Sequence, residues 1–266
     1  MSDGPIYEPK GRAREYSPLA LNIFGGCSHG CEYCYVPAVL HVTKEQYHGS
    51  NRLLKSFSLQ KLDLQAEALA GDPRQILLSF VGDLYSVTGP LAIGLRKTVL
   101  GFLDKYKLNV AILTKGGLRC LSDLNYFRAF GDRIKVGQSL TLIREGESKR
   151  WEPGAADPFE RIEALRVLHR VGVRTWASME PVIDPGQSMR LIRESLPYVD
   201  EYRLGKLNHV KQEARDWEAY LSGALELLRA EGKDVYVKRD LREAAPGVPL
   251  TAEEVDADRS TIRKGG

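Results

Sequence analysis

Cysteine is scarce in this chain: 4 among 266 residues, far below what a disulfide-held scaffold uses. No run approaches the ~18–20 consecutive apolar residues of a membrane span. The opening MSDGPIYEPKGRAREYS has no apolar core of the kind a secretory signal needs. The expected setting is therefore the cytoplasm, with no membrane partner. Charge of one sign is missing too. The 38 basic and 35 acidic side chains leave +3, which permits a nucleic-acid partner without arguing for one. Internal repeats and low-complexity linkers are absent. The 43% hydrophobic and 27% charged residues that make up the chain are the balance of a globular protein rather than a disordered one.

The few cysteines are not scattered. Cys27, Cys31 and Cys34 fall within GGCSHGCEYCY, spaced C-x3-C-x2-C, and Cys120 stands alone. Three clustered thiols in a reducing compartment read as metal ligands rather than disulfides. A zinc ribbon needs four ligands from paired knuckles, and no second pair exists. His29 is the candidate for a fourth zinc ligand, but it sits between two of the others on a loop too short to aim it. Three thiolates instead suit a four-iron, four-sulfur (4Fe-4S) cluster with one iron left open to a substrate or cofactor.

Leu19 to Phe24 is a short apolar run closed by Gly25-Gly26, and reads as a buried strand that delivers the cysteine loop. Similar runs recur at 75–81, 109–113, 135–142, 173–179, 201–204 and 234–237. Helical patterns lie between them, near 91–106, 121–129, 188–196 and 212–230. The clearest helix spans Pro158 to about Val171. Asp157 is its expected N-cap and Glu160 completes a capping box. Phe159, Ile162, Leu165, Leu168 and Val171 form its apolar face, and Gly172 ends it. Strand and helix alternate about six times, which predicts an α/β fold: a partial (βα)6 TIM-type barrel rather than a full eightfold one. The expected layout is an N-terminal extension over 1–16, the barrel over 17–240 and a polar C-terminal extension over 241–266. Binding residues in such folds collect at the carboxyl ends of the strands.

A strand, then CxxxCxxC with Tyr33 before the third cysteine, then a βα chain, resembles the radical S-adenosylmethionine (SAM) enzymes. Within them the chain is most similar to the spore photoproduct lyase-like group, also described as DNA repair photolyase-related. The resemblance rests on Cys27 to Tyr35, Leu113-Thr114-Lys115, Gly137-Gln138-Ser139-Leu140, and Glu152-Pro153 ahead of Asp157 to Arg161. It implies a barrel of the radical SAM kind, a 4Fe-4S cluster on Cys27, Cys31 and Cys34, and S-adenosylmethionine bound at the open iron. Reductive cleavage would yield a 5′-deoxyadenosyl radical that takes hydrogen from a nucleic acid base or nucleotide-like substrate. The reaction type stays open between lyase, isomerase and other radical chemistry. A reductase, flavodoxin or ferredoxin would supply the electron. Two alternatives stand beside this reading: the same chemistry on a small anionic metabolite or amino acid, and a non-catalytic zinc-binding interaction module.

By the same resemblance Asp83, in a degenerate Val81-Gly82-Asp83 match to the family's acidic turn, receives the cofactor ammonium. Lys115 neutralises its carboxylate, Ser139 hydrogen-bonds it, and Tyr33 stacks near the adenine. Glu152 and Arg161 either pair with each other or reach the ribose. Tyr35 faces the substrate or packs under the loop. Lys206 is the expected contact for an anionic substrate, with Glu180, Asn208, His209 and Lys238 near the same mouth. One departure matters. Authentic spore photoproduct lyases carry a hydrogen-donating cysteine on the second strand, where this chain has Gln75 to Phe80 and no thiol. Cys120 is the only spare cysteine, and is expected to point away from the mouth as a small buried hydrophobe.

Overall fold

The structure is a computed structural model, described here over residues 4–49, 52–208 and 215–259. Its strands are β1 (Ile6–Tyr7), β2 (Leu19–Leu21), β3 (Phe24–Gly25), β4 (Arg52–Leu53), β5 (Gln75–Leu78), β6 (Asn109–Thr114), β7 (Ile134–Ser139), β8 (Arg174–Val182), β9 (Glu201–Lys206) and β10 (Asp234–Val237). Eight of them form one sheet in the order β1-β2-β5-β6-β7-β8-β9-β10. Only β1 runs antiparallel to its neighbour; the other seven are parallel and joined by six crossovers. The fold is thus an α/β partial barrel whose sheet is not closed.

Each apolar run became a strand because a parallel strand with helices outside and side chains inside is buried on both faces. Parity sorts those faces. Leu19, Leu21, Ile76, Leu78, Val110 and Ile112 pack outward into one helix-facing core. Ala177, Met179, Tyr202, Leu204, Val235 and Val237 do so in a second. The alternate residues Leu77, Ala111 and Trp176 meet in the lumen with Tyr16, Phe80 and Leu113. Continuing that parity to the strand ends puts Ser79, Lys115, Ser139, Glu180 and Lys238 on the inner wall of the mouth, and all five line one cavity.

Gly137 is required by this lumen. A Cβ there would stand 2.5 Å from the Trp176 carbonyl and 2.6 Å from its indole, which donates to the Ile112 carbonyl at 2.9 Å. Gly137→Ala is expected to cost about 1–3 kcal/mol by overpacking, read as a lower urea midpoint.

Three expectations shift. The run Leu19 to Phe24 splits into β2 and β3, and β3 pairs with β4 in a separate ribbon. Asn22 causes the break: its carbonyl oxygen takes the amides of Phe80 and Val81, and its amide donates to the Tyr7 hydroxyl. In the helix Pro158–Arg170, Asp157 is the N-cap but its side chain makes no capping bond. Glu160 instead accepts from the Leu118 amide at 3.1 Å. Phe159 is 55% exposed and Val171 38%, because the buried face is Pro158, Arg161, Ile162, Ala164, Leu165 and Leu168. Helices at Leu59–Ala68 and Glu145–Trp151 add to those expected.

The segment before β2 spans the space between the two ends of the sheet. Its 3-10 turn Gly11–Glu15 places Glu15 to accept from the Tyr236 hydroxyl at 2.7 Å and the Arg239 amide at 2.8 Å. Arg203 donates to the Glu15 carbonyl. Arg12 pairs with Asp240 at 3.2 Å and Arg14 with Asp258 at 2.6 Å. Among the described residues no helix is long and apolar enough to cross a membrane.

Candidate active site

At the carboxyl ends of the parallel strands lies a cavity of about 310 Å³. Its roof is the cysteine loop. Gly26 and Gly30 take positive φ, 114° and 67°, so the chain can fold back on itself there, and the Cys34 amide bonds the Cys31 carbonyl at 3.1 Å. A second segment, Trp151 to Ala156, buckles onto this loop. The Glu32 amide donates to the Trp151 carbonyl at 2.9 Å and the Gly154 amide to the His29 carbonyl at 2.8 Å. A Cβ on Gly154 would stand 2.0 Å from the Ser28 carbonyl, so only glycine allows the approach. The Thr43 capping box starts the helix Lys44–His48, and this sets His48 Nδ1 at 2.8 Å from the Cys27 carbonyl.

Cys27, Cys31 and Cys34 are free thiols that all line the cavity. Burial pushes Cys27 and Cys31 up to about 12. Among the described residues no three His, Cys, Asp or Glu side chains stand in a metal-binding group, but the three thiols share one cavity wall. The donor set fits a cluster better than zinc. His29 is buried with Nδ1 3.1 Å from the Gly154 carbonyl and Nε2 3.0 Å from Asp83. Both ring nitrogens are engaged elsewhere, so the expected fourth zinc ligand is not offered.

Asp83 organises the junction. Its Oδ1 accepts from the Tyr85 amide and the Thr114 hydroxyl, and its Oδ2 from the Lys115 amide and His29. Burial alone would raise its carboxyl; the neighbouring His29 and these hydrogen bonds outweigh it and hold the group well below the usual carboxylate range. Four donors fill the four lone-pair directions of a carboxylate.

Glu152 and Arg161 pair at 2.6 Å, both essentially buried. Arg161 also donates to the carbonyls of Ala156 and Ser139, and Glu152 accepts from the Tyr33 hydroxyl. The pair thereby fixes the ring that precedes Cys34. Lys115 Nζ lies 5.5 Å from that ring's centroid, and among the described residues it makes no hydrogen bond or ion pair. Burial would lower its pKa, but Cys31 and Glu152 outweigh that and raise it. The Ser139 side chain is likewise uncommitted on the same wall.

At the far end, Tyr35 is 48% exposed and lines the opening, so it faces the cavity instead of packing under the loop. Lys206 Nζ bonds Asn208 Oδ1 at 3.1 Å. Lys238 is paired with Glu180 at 2.6 Å. His209 lies outside the described residues. Cys120 is fully buried, touches Gln138 at 3.6 Å, and does not line the cavity. Sequence reasoning did not place Arg12, Tyr16, His48 or Phe80 here, although all four line it. For Phe80 and His48 the cue was proximity to a strand end and to the cysteine loop; for Arg12 and Tyr16 no local cue exists.

These features define an open α/β barrel with a thiol-bearing loop over a cavity at its mouth. No protein-family model matches the chain. It is 28% identical over 204 residues to an uncharacterized protein of Methanocaldococcus jannaschii, covering 76% of this chain and 74% of that one. It is 24% identical over 185 residues to an uncharacterized protein of Acidianus two-tailed virus, covering 68% and 61%. A spore photoproduct lyase variant with bound AdoMet and dinucleoside spore photoproduct superposes with TM-score 0.58 at 15% identity, over 92% of this chain and 65% of that one. Streptococcus suis SuiB bound to precursor peptide SuiA superposes with TM-score 0.61 at 11% identity, over 89% and 54%. The chain therefore spans just under two thirds of the lyase and about half of SuiB. At these identities the likeness is one of fold: this chain shares with both the open α/β partial barrel.

Proposed function

We propose that the protein is a radical SAM enzyme acting on a nucleic acid base or nucleotide-like substrate. The observation that carries the reading is the union, in one cavity, of three free cysteines with an unpaired lysine and an uncommitted serine. Cys27, Cys31 and Cys34 would hold the 4Fe-4S cluster. When bound, it supplies the electron that cleaves S-adenosylmethionine to methionine and a 5′-deoxyadenosyl radical. Lys115 meets the cofactor carboxylate and Ser139 donates to it. Tyr33, held by Glu152, borders the adenine. Asp83, with its oxygens filled, serves as a positioning residue that ties the cysteine loop to the ends of β5 and β6. Tyr35 and Lys206 flank the substrate, and the walls exclude water from it.

The cavity is small for a cofactor and a bulky substrate together, since small-molecule pockets run from about 300 to 1,000 Å³. That favours a second reading, a small anionic metabolite or amino acid met by Lys206. The electron donor would be a reductase, flavodoxin or ferredoxin reaching the loop from outside.

Anaerobically reconstituted, dithionite-reduced protein is expected to release 5′-deoxyadenosine and methionine from S-adenosylmethionine, measured by mass spectrometry, and Cys31→Ala to release neither. Deuterium transfer into 5′-deoxyadenosine then separates nucleotide from metabolite substrates. Protein that loads zinc and no iron would overturn the reading.

A further inference from the structure

The inner wall of the mouth carries an arrangement the proposed cofactor chemistry does not use. Glu180 Oε2 accepts from both Lys238 Nζ, at 2.6 Å, and the Tyr16 hydroxyl. Its other oxygen, Oε1, accepts nothing among the described residues, on a side chain that is 20% exposed and lines the cavity. The surroundings over-determine this geometry. Lys238 Nζ also sits 3.9 Å from the Tyr16 ring centroid, and Ser178 Oγ is 3.2 Å from the Tyr16 hydroxyl. Beneath them is Gly205, where a Cβ would stand 2.9 Å from Lys238 Cδ and 3.0 Å from Glu180 Cδ. Burial, and next the charge of Glu180, push the Tyr16 phenol well above its ordinary value, so it remains a neutral donor.

We propose that Glu180 is the specificity-determining residue of this cavity, its free Oε1 accepting a hydrogen bond from an uncharged N–H or O–H group of the substrate. The charge logic selects that class. Lys238 already neutralises the carboxylate, so a cationic substrate gains no net ion pair, whereas an acceptor-only group would face an oxygen it cannot bond. Tyr16 is a positioning residue: it engages Oε2 and leaves Oε1 to the ligand. It belongs to the segment between β1 and β2, held in place through Glu15, so that segment forms part of the substrate wall. The assignment rests on the cavity being the substrate site of the proposed enzyme.

The test uses matched probes on the reconstituted protein: uridine against 3-methyluridine, and benzamide against N,N-dimethylbenzamide, with affinities from ligand-observed NMR. The N–H member of at least one pair is expected to bind about tenfold or more tighter, since a buried acceptor left unpaired costs about that much. In the double variant Glu180→Leu with Lys238→Met, which removes both charges together, the ratio should fall to near one. Tyr16→Phe and Gly205→Ala should lower the ratio, which loss of packing alone, weakening both members of a pair alike, would not do. Equal affinities in the wild type, no measurable binding of any probe, or an unchanged ratio in the double variant overturns the proposal. Because no S-adenosylmethionine is present, these outcomes are independent of whether cofactor cleavage occurs.

Discussion

Glu152→Ala is expected to destabilise the protein by about 3–5 kcal/mol, because it strands a buried guanidinium. Arg161 is 1% exposed and Glu152 is fully buried, so no water replaces the lost carboxylate. Arg161 keeps two carbonyl partners but no counter-charge, and the Tyr33 hydroxyl loses its acceptor. Replacing both ions, Glu152→Leu with Arg161→Met, should recover most of the stability, since apolar pairs of similar volume often substitute for buried ion pairs without loss. Iron loading should not recover with it, because the Tyr33 hydroxyl, next to Cys34, still lacks the acceptor that fixes its ring. Urea midpoints and iron per chain after reconstitution separate the two effects. A single variant as stable as wild type would remove the energetic argument, and a fully loaded double variant would remove the positioning one. Acid should act on the same pair. Burial raises the Glu152 carboxyl, but Arg161 and then Lys115 outweigh it and depress it below the ordinary 4.5. A depressed carboxyl contributes stability above its unfolded value and loses it as pH falls through the folded one. Unfolding should therefore begin below about pH 4.5 and not on the alkaline side.

The barrel was legible because its signal is local. Each of the seven parallel strands coincides with a short apolar run, and two-sided burial is what makes such a run continuous. The cysteine loop was legible because its chemistry is concentrated in eight residues, Cys27 to Cys34. What escaped depends on contacts distant in sequence. Tyr16 lies in a polar stretch, and its place opposite Glu180 exists only because the segment crosses between the ends of the sheet, 164 residues away in sequence. Nothing local in the sequence shows that His29, Tyr85, Thr114 and Lys115 use all the lone pairs of Asp83. The capping box failed for the same reason. Glu160 had a better donor in Leu118, 42 residues earlier, and tertiary bonding overrode the local pattern. Phe159 was misplaced by taking every apolar residue as inward, whereas the chain spends Arg161 on the buried face and leaves the ring in solvent.

Lys115→Met is expected to weaken S-adenosylmethionine binding about ten- to hundredfold, the worth of a charge-assisted hydrogen bond in a sheltered site, while thermal stability falls less than on removal of a directly paired lysine. The contrast with the other inner-wall lysines gives the sign. Lys135 is 2.7 Å from Glu201 and Lys238 is 2.6 Å from Glu180, so removing either breaks a direct ion pair, and removing Lys238 would leave Glu180 with no cationic partner among the described residues. Lys115 strands nothing: its ammonium has an aromatic face at 5.5 Å and no acceptor among the described residues. The charges of Cys31 and Glu152 keep the ammonium protonated in spite of burial, and a ligand's anion would supply the direct acceptor it lacks. Titration calorimetry of reconstituted wild type and variant, beside their melting curves, reads both quantities. Unchanged affinity would sink the assignment. A lower melting temperature with unchanged affinity would make Lys115 a structural residue after all. Much weaker binding together with only a small loss of stability is the pattern expected of a ligand-directed lysine.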